Sequence, residues 1–135
     1  MVDFILPTVD QLIKIGVSLL IGAIIGWERE VSHKPAGLRT HILVSMGSTL
    51  ATLISIDYFS VDPARIASGI LTGIGFLGAG TIIAAKGNVR GLTTAASLWV
   101  VAALGLAVGV GAYTLAIIAA VIVLLTLLFI RVEKK

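Results

Sequence analysis

The charged residues around one end of the first predicted helix are the strongest candidates for chemistry. Glu28 and Glu30 lie at the C-terminal end of an apolar run, and Arg39 lies in the first turn of the next one. Helix dipoles disfavour both placements, by a few tenths to about 1 kcal/mol each. A short loop returns the chain to the same end, so a pair between either glutamate and Arg39 would offset both penalties. We predict a polar cluster there, formed by Glu28, Arg29, Glu30, Arg39, Arg90 and Thr93.

Two interpretations of this cluster stay open. Its charges form structural ion pairs that fix the order of the helices, or they form a regulatory or ion-binding site of the kind that ionisable residues at membrane depth often mark. Mg²⁺ suits one or two carboxylates with retained waters, which makes Glu28 and the more distant Asp62 candidate ligands. Thr93 and Thr94 either cap a helix or add hydroxyls to the cluster, whereas His33 and His41 are expected at an interface rather than as ligands.

A second charged group is predicted at the opposite end of the helices. Asp62 followed by Pro63 is typical of a helix N-cap with proline at the first helical position. Arg65 would lie in the same first turn, where Asp62 compensates its charge. Asp10 and Lys14 are spaced four residues apart, which favours an ion pair along the first helix.

Several chemical functions are disfavoured by the sequence. The chain has no cysteine, which excludes thiol catalysis and thiolate metal sites. No Ser/His/Asp arrangement, metal-ligand spacing or phosphate loop supports an enzyme. The run from Gly73 to Gly78 matches a dinucleotide-binding pattern, but no strand precedes it, and Ala95 and Ala96 stand near where the ribose-binding acid belongs. We therefore expect no enzyme and no cofactor, with Mg²⁺ as the one candidate ligand.

The elements that position these residues are apolar helices. Of the 135 residues, 58% are hydrophobic and 13% are charged, and the mean hydropathy is +1.10. A soluble domain is roughly a quarter charged, and a short soluble chain could not bury this much apolar surface. A spanning helix needs about 20 mostly apolar residues. We predict an all-α membrane protein, a bundle of five transmembrane helices at about 9–27, 38–59, 64–85, 92–109 and 112–130.

The basic residues predict an orientation in the membrane. Eight of the ten Lys and Arg fall on one side of these spans: Arg29, Lys34, Arg39, Lys86, Arg90, Arg131, Lys134 and Lys135. Lys14 and Arg65 fall on the other. Since cytoplasmic loops carry the excess of basic residues, the N-terminus is predicted outside and the C-terminus in the cytoplasm. The basic charge therefore indicates a lipid bilayer as partner, and no nucleic acid.

Glycines at spacing four predict how the helices associate. Membrane helices pack through close backbone approach, and Gly22 and Gly26 form such a stripe on the first helix. The third helix is unusually rich in glycine, although each glycine destabilises a helix by about 1 kcal/mol relative to alanine. Its glycines indicate either tight packing or a helix break that could coordinate an ion; they include Gly73, Gly75, Gly78 and Gly80. The helices carry more stripes of small residues than packing within one chain would use, which also predicts a homodimer.

Four runs of residues together resemble the transmembrane domain of the MgtC/SapB family: Gly22-Ala-Ile-Ile-Gly26-Trp-Glu28-Arg29-Glu30, Ala36-Gly37-Leu38-Arg39-Thr40, Gly73-Ile-Gly75-Phe-Leu-Gly78-Ala-Gly80 and Val89-Arg90-Gly91-Leu-Thr93-Thr94-Ala-Ala. The resemblance implies a five-helix protein of the bacterial inner membrane. In the family, this domain is associated with adaptation to low Mg²⁺ and, in pathogens, with survival inside macrophages. Many relatives carry a soluble C-terminal domain, whereas residues 1–135 are expected to form a single transmembrane domain.

The resemblance also implies partners and functional positions. Family members are thought to act through membrane proteins, including the F-type ATP synthase and sensor kinases. The family's functional positions correspond to Glu28, Arg29, Arg39, Asp62, Arg65 and Arg90. The first hypothesis is a non-enzymatic protein that serves magnesium homeostasis, and possible virulence, through such partners. The alternative is a small transporter or channel for Mg²⁺, supported by the glycine-rich third helix and by carboxylates on both sides of the membrane.

The orientation can be tested with two fusions of alkaline phosphatase, which is active only after export. We expect an inactive enzyme when it is fused after Lys135 and an active one when it is fused after Val61. A fluorescent cytoplasmic reporter at the same two positions should give the reverse pattern. Activity of the phosphatase at the C-terminus would contradict the predicted orientation.

Overall fold

The chain folds into five helices and one short hairpin. The computed structural model describes residues 6–59 and 61–132. Their elements are α1 (Val9–Val31), α2 (Leu38–Tyr58), α3 (Pro63–Gly80), β1 (Ile83–Ala85), β2 (Asn88–Arg90), α4 (Leu92–Gly109) and α5 (Tyr113–Val132). The five predicted helices are therefore present.

The helix starts follow from local side-chain chemistry. Thr8 and Gln11 form a capping box on α1, in which each side chain accepts a hydrogen bond from the other's backbone N–H. Asp62 caps α3 by accepting from the N–H of Arg65 at 3.2 Å, with Pro63 at the first helical position, which confirms the predicted cap. These bonds satisfy donors that a helix terminus otherwise leaves unpaired.

The third helix ends earlier than predicted. It was expected to run to residue 85, but it stops at Gly80, and residues 83–90 form an antiparallel hairpin that pairs Ile83 with Arg90. Lys86 and Gly87 both have positive φ, as the tightest hairpin turns require. Gly91 then starts α4 with φ of 89°, and a Cβ at this position would overlap the carbonyl group of Thr81. The chain can make this turn because residue 91 is glycine.

Helix α2 lies between α1 and α4 and is held close to both by glycines. A Cβ at Gly22 of α1 would lie 2.7 Å from the carbonyl oxygen of His41, and one at Gly26 would lie 2.8 Å from the Cα of Leu38. On α4, Gly105 faces the backbone of Ser45, where a Cβ would also overlap. Gly22 and Gly26 therefore pack closely against a neighbouring helix as predicted, and that helix is α2.

The close approach lets hydroxyl groups on α2 bond to the backbone of α4. The Oγ of Ser48 donates to the carbonyl of Ala102 at 2.6 Å, and the Oγ1 of Thr49 donates to that of Gly105 at 2.7 Å. Such bonds join membrane helices at about 0.6–2 kcal/mol each. The buried polar residues of α2 recur at helical spacing along a single face: His41, Ser45, Ser48, Thr49, Thr52 and Ser55.

Helix α3 packs more loosely than α1, α2 and α4. Contrary to the prediction, its glycines neither break the helix nor, apart from Gly78, bring it into close contact with a neighbour. No break interrupts α3 between Pro63 and Gly80, and a Cβ at Gly73, Gly75 or Gly80 would meet nothing within 4 Å. Gly78 approaches Ala95 of α4, at 3.5 Å from its Cβ. The physical reason is that α3 turns Ile74 and Gly78 toward the bundle, so glycines on its other faces point outward.

The interior and the exterior of the bundle differ in polarity from those of a soluble protein. Among the residues that the structure describes, eleven buried ones are polar or charged, whereas many large apolar side chains are exposed, including Leu43, Phe76, Leu115, Ile117, Ile122 and Phe129. Trp99 is 47% exposed and joins this apolar exterior. Within the described ranges, α1 and α4 are long and apolar enough to cross a membrane. An apolar exterior of this extent suits lipid rather than water.

Alanine substitutions should separate the packed glycines from the open ones. Gly105→Ala should lower the free energy of unfolding by about 1–3 kcal/mol, because its new methyl group overlaps α2. Gly16→Ala on α1 is the matched control, because a Cβ there would meet nothing within 4 Å; it should leave stability unchanged or raise it by up to about 1 kcal/mol, since alanine favours helix. Thermal unfolding in detergent measures both. Equal effects at the two positions would contradict this packing.

Candidate functional site

A buried arginine lies at the centre of the candidate site. Arg29 follows Gly22 and Gly26 on the same face of α1 and is 3% exposed. Its Nη2 donates to the Oγ1 of Thr94 on α4 at 3.1 Å, and its Nη1 lies 3.5 Å from an Oε2 of Glu28. The guanidinium therefore ties the end of α1 to the start of α4.

Glu28 completes the buried ion pair. It is 6% exposed, and its Oε1 accepts a hydrogen bond from the Oγ of Ser32 at 2.7 Å. A buried charge is tolerated when it is paired and hydrogen-bonded. The Nε of Arg29 has no hydrogen-bond partner among the described residues, so the pair holds a donor that the surrounding protein leaves unused.

His41 extends the site between α2 and α4. Its ring is fully buried, with Nδ1 at 2.8 Å from the carbonyl oxygen of Gly37 and Nε2 at 3.0 Å from the Oγ of Ser97. A carbonyl can only accept, so Nδ1 carries a proton, while Nε2 faces a serine hydroxyl that also donates to the carbonyl oxygen of Thr94 at 2.8 Å. Sequence reasoning placed His41 at an interface and missed this role. The sequence signal that could have revealed it is the row of polar residues on one face of α2, which begins at His41 and continues at Ser45.

Glu30 has a separate, structural task. Its carboxylate accepts the backbone N–H of Leu38 at 2.9 Å and so caps α2, whose N-cap residue, Gly37, offers no side chain. The negative charge then lies at the positive end of the α2 dipole, which is favourable. This contact offsets the penalty that the sequence assigned to Glu30, without any pairing to Arg39.

The structure brings together some of the predicted cluster and not the rest. Glu28 and Arg29 meet, with Thr94 in place of Thr93, and Glu30 lies near them at the α2 cap. Arg39, Arg90 and Thr93 are exposed, and neither arginine forms an ion pair with any side chain that the structure describes. Neighbouring helix positions point about 100° apart, so Leu38 and Thr94 face the bundle where Arg39 and Thr93 face outward.

The opposite end carries a smaller polar group. The carboxylate of Asp57 on α2 accepts from the Nε2 of Gln11 on α1 at 2.6 Å, and Lys14 pairs with Asp10 at 2.8 Å as predicted. Asp62 is engaged as the α3 cap, and its predicted side-chain pairing with Arg65 is absent from the described contacts. Across the residues that the structure describes, no three His, Asp or Glu side chains converge as a metal site.

Two arginine substitutions should show which guanidinium the fold depends on. Arg29→Gln should destabilise the protein by about 3 kcal/mol or more, because it leaves Glu28 buried without its counter-charge. Arg39→Gln is the matched control and should change stability little, as surface substitutions usually do. Thermal unfolding of both variants in the same detergent measures the difference. A loss for Arg39→Gln equal to that for Arg29→Gln would contradict this assignment.

Comparison with known proteins places the chain among relatives. The model of the MgtC family matches residues 15–135. The chain is 43% identical over 129 residues to the "Putative magnesium transporter YhiD" of Escherichia coli K12, covering 89% of this chain and 60% of that protein. It is 40% identical over 131 residues to Protein SapB of Bacillus subtilis, covering 90% and 56%. It is 44% identical over 114 residues to Protein MgtC of Salmonella typhimurium LT2, covering 84% and 49%.

These relatives are longer proteins, since the chain spans about half to three-fifths of their length. No solved structure matches the chain significantly. The family model covers most of the sequence, including every residue of the buried cluster described above. An apolar exterior, a buried Glu28–Arg29 pair and this match agree: the chain is a membrane protein that belongs to the MgtC family.

Proposed function

We propose that all five helices cross the bacterial inner membrane, with the N-terminus outside and the C-terminus in the cytoplasm. The distribution of basic residues supports this orientation, because Arg29, Lys34, Arg39, Lys86 and Arg90 lie on one side. The exposed apolar side chains of α5, among them Leu115, Ile122 and Leu125, support a lipid-facing position for that helix.

We propose further that the protein is non-enzymatic and acts in adaptation to low Mg²⁺ through membrane partners. The observation that carries this proposal is the buried Glu28–Arg29 pair, fixed by Thr94 and Ser32. A carboxylate whose charge a guanidinium partly compensates does not displace the water that a divalent cation such as Mg²⁺ holds tightly. The hydroxyls of Ser48, Thr49 and Thr52 donate to backbone carbonyls, so those carbonyl oxygens are not open ligands for an ion in transit.

The partners are proposed from family resemblance and from the surface. The family resemblance suggests the F-type ATP synthase and a sensor kinase as partners. The surface suggests a second copy of the chain, because Gly73, Gly75 and Gly80 on α3 are open to close approach by another helix. A homodimer through α3 would use glycines that the single chain leaves unpacked. A role in virulence stays a prediction of the resemblance.

A Mg²⁺ transporter is the second candidate function. It is favoured by the printed name of the Escherichia coli relative, which describes that protein as a putative magnesium transporter. Glu28 also lines a groove at the predicted cytoplasmic end, and a carboxylate is a ligand type that Mg²⁺ accepts. Under this alternative Glu28 would be a transient ligand rather than a fixed half of an ion pair.

Growth in limiting Mg²⁺ tests the first proposal. In a strain that lacks the native gene, Glu28→Gln should reduce growth at low Mg²⁺ and leave growth at high Mg²⁺ unchanged. Asp10→Asn, which removes an exposed acid at the other end of α1, is the matched control and should grow like wild type. Membrane levels of both variants must equal wild type by immunoblot. Full growth of the Glu28→Gln strain would contradict a functional role for the pair.

Flux measurements separate the two candidates. Purified protein in liposomes with an entrapped Mg²⁺-sensitive dye should give no flux above that of empty liposomes if it acts through partners. Flux that Glu28→Gln abolishes and Asp10→Asn preserves would overturn that proposal and support the transporter.

A further inference from the structure

A side groove opens between three helices at the predicted cytoplasmic end of the bundle. We call it the inner groove; its volume is about 590 Å³, and its walls include Ile24, Trp27 and Val31 of α1, Leu38 and Ile42 of α2, and Leu128 of α5. The seven residue steps from Ile24 to Val31 advance about 10 Å along α1. Since one leaflet contributes about 15 Å of hydrocarbon, the inner groove reaches through much of that leaflet.

Among the wall residues whose side chains the structure describes, Glu28 is the charged one. Arg29 points the other way, toward Thr94 of α4, and does not line the inner groove. An occupant therefore meets the negative member of the ion pair and not the positive one. Glu28 lies about one helical turn inside the end of α1 at Val31. If α1 crosses the membrane as proposed, this level is close to the boundary between headgroups and acyl chains.

The carboxylate of Glu28 has acceptor positions to spare. A carboxylate can accept about four hydrogen bonds. Among the described side chains, Glu28 accepts one good bond from Ser32 at 2.7 Å, while Arg29 is at 3.5 Å, the outer limit for a hydrogen bond. A cationic donor from the groove side would add a charge-assisted hydrogen bond of the strong kind.

The chemistry of the rim suits a zwitterion. Lys34 and Arg39 are exposed at the same end of α1 and α2, where their cations can attract a phosphodiester. An occupant with a negative phosphate outside, a positive amine at Glu28 and an apolar tail along the wall is complementary to all three features. A free divalent cation would match the carboxylate alone, and it would leave the apolar wall uncovered.

We propose that the inner groove binds a phospholipid with a primary-amine headgroup, such as phosphatidylethanolamine, with its ammonium group on Glu28 and one acyl chain along the apolar wall. The inference does not depend on whether the protein moves Mg²⁺ or acts through partners. The site would then distinguish phospholipids of the cytoplasmic leaflet by their headgroup.

The test compares two lipids that differ at the nitrogen. Phosphatidylethanolamine and phosphatidylcholine with identical acyl chains carry the same charges, but the trimethylated amine has no N–H to donate. Native mass spectrometry of the chain, purified with an equimolar mixture of these two lipids and phosphatidylglycerol, should show at least about tenfold more retained phosphatidylethanolamine than phosphatidylcholine, the ratio expected of one charge-assisted hydrogen bond. Glu28→Gln should bring this ratio close to one, and Asp10→Asn should keep it.

A second pair of variants tests the groove itself, independently of Glu28. Leu128→Trp places a bulky ring in the groove and should reduce retention of both lipids by about fivefold or more. Leu125→Trp, on the lipid-facing side of α5, is the matched control and should retain both like wild type. Equal retention of the two lipids by wild type, an unchanged preference in Glu28→Gln, or preferential retention of anionic phosphatidylglycerol would overturn the proposal.

Discussion

The close backbone contact of α2 with both α1 and α4 is the constraint on which the rest of the structure depends. Gly22 and Gly26 on one side and Gly105 on the other leave no room for a methyl group. Membrane helices gain little from burying apolar area against one another, so their association relies on such contacts and on polar bonds. Without this approach, Ser48 and Thr49 could not reach the carbonyls of α4.

The buried ions follow from the same geometry. Arg29 is the next residue on the glycine face of α1, so its side chain enters the space where α1, α2 and α4 converge. It finds Thr94 because the hairpin and Gly91 start α4 at that level. Glu28, one position away, turns toward α5 and the inner groove instead. Arg29 and Glu28 are adjacent in sequence but lie in different environments, the cation inside the bundle and the anion at the wall of the inner groove.

Much of the fold could be predicted because its signals are local. Apolar length predicted the five helices, Asp62–Pro63 predicted the start of α3, and four-residue spacing predicted the Lys14–Asp10 pair. The early end of α3 was missed because residues 81–85 are apolar enough to continue a helix. The competing preference is the hairpin turn at Lys86–Gly87, which pairs strands across only eight residues.

The sequence by itself determined the helices, their lipid-compatible exterior and the set of charges gathered at one end. Those properties follow from composition and periodicity, which each segment carries alone. Only the tertiary structure decided the partners: Glu28 with Arg29 rather than Arg39, Thr94 rather than Thr93, and His41 inside rather than at an interface. The physical reason is angular, because adjacent positions differ by about 100° around a helix, and which of them faces inward depends on where neighbouring helices pack.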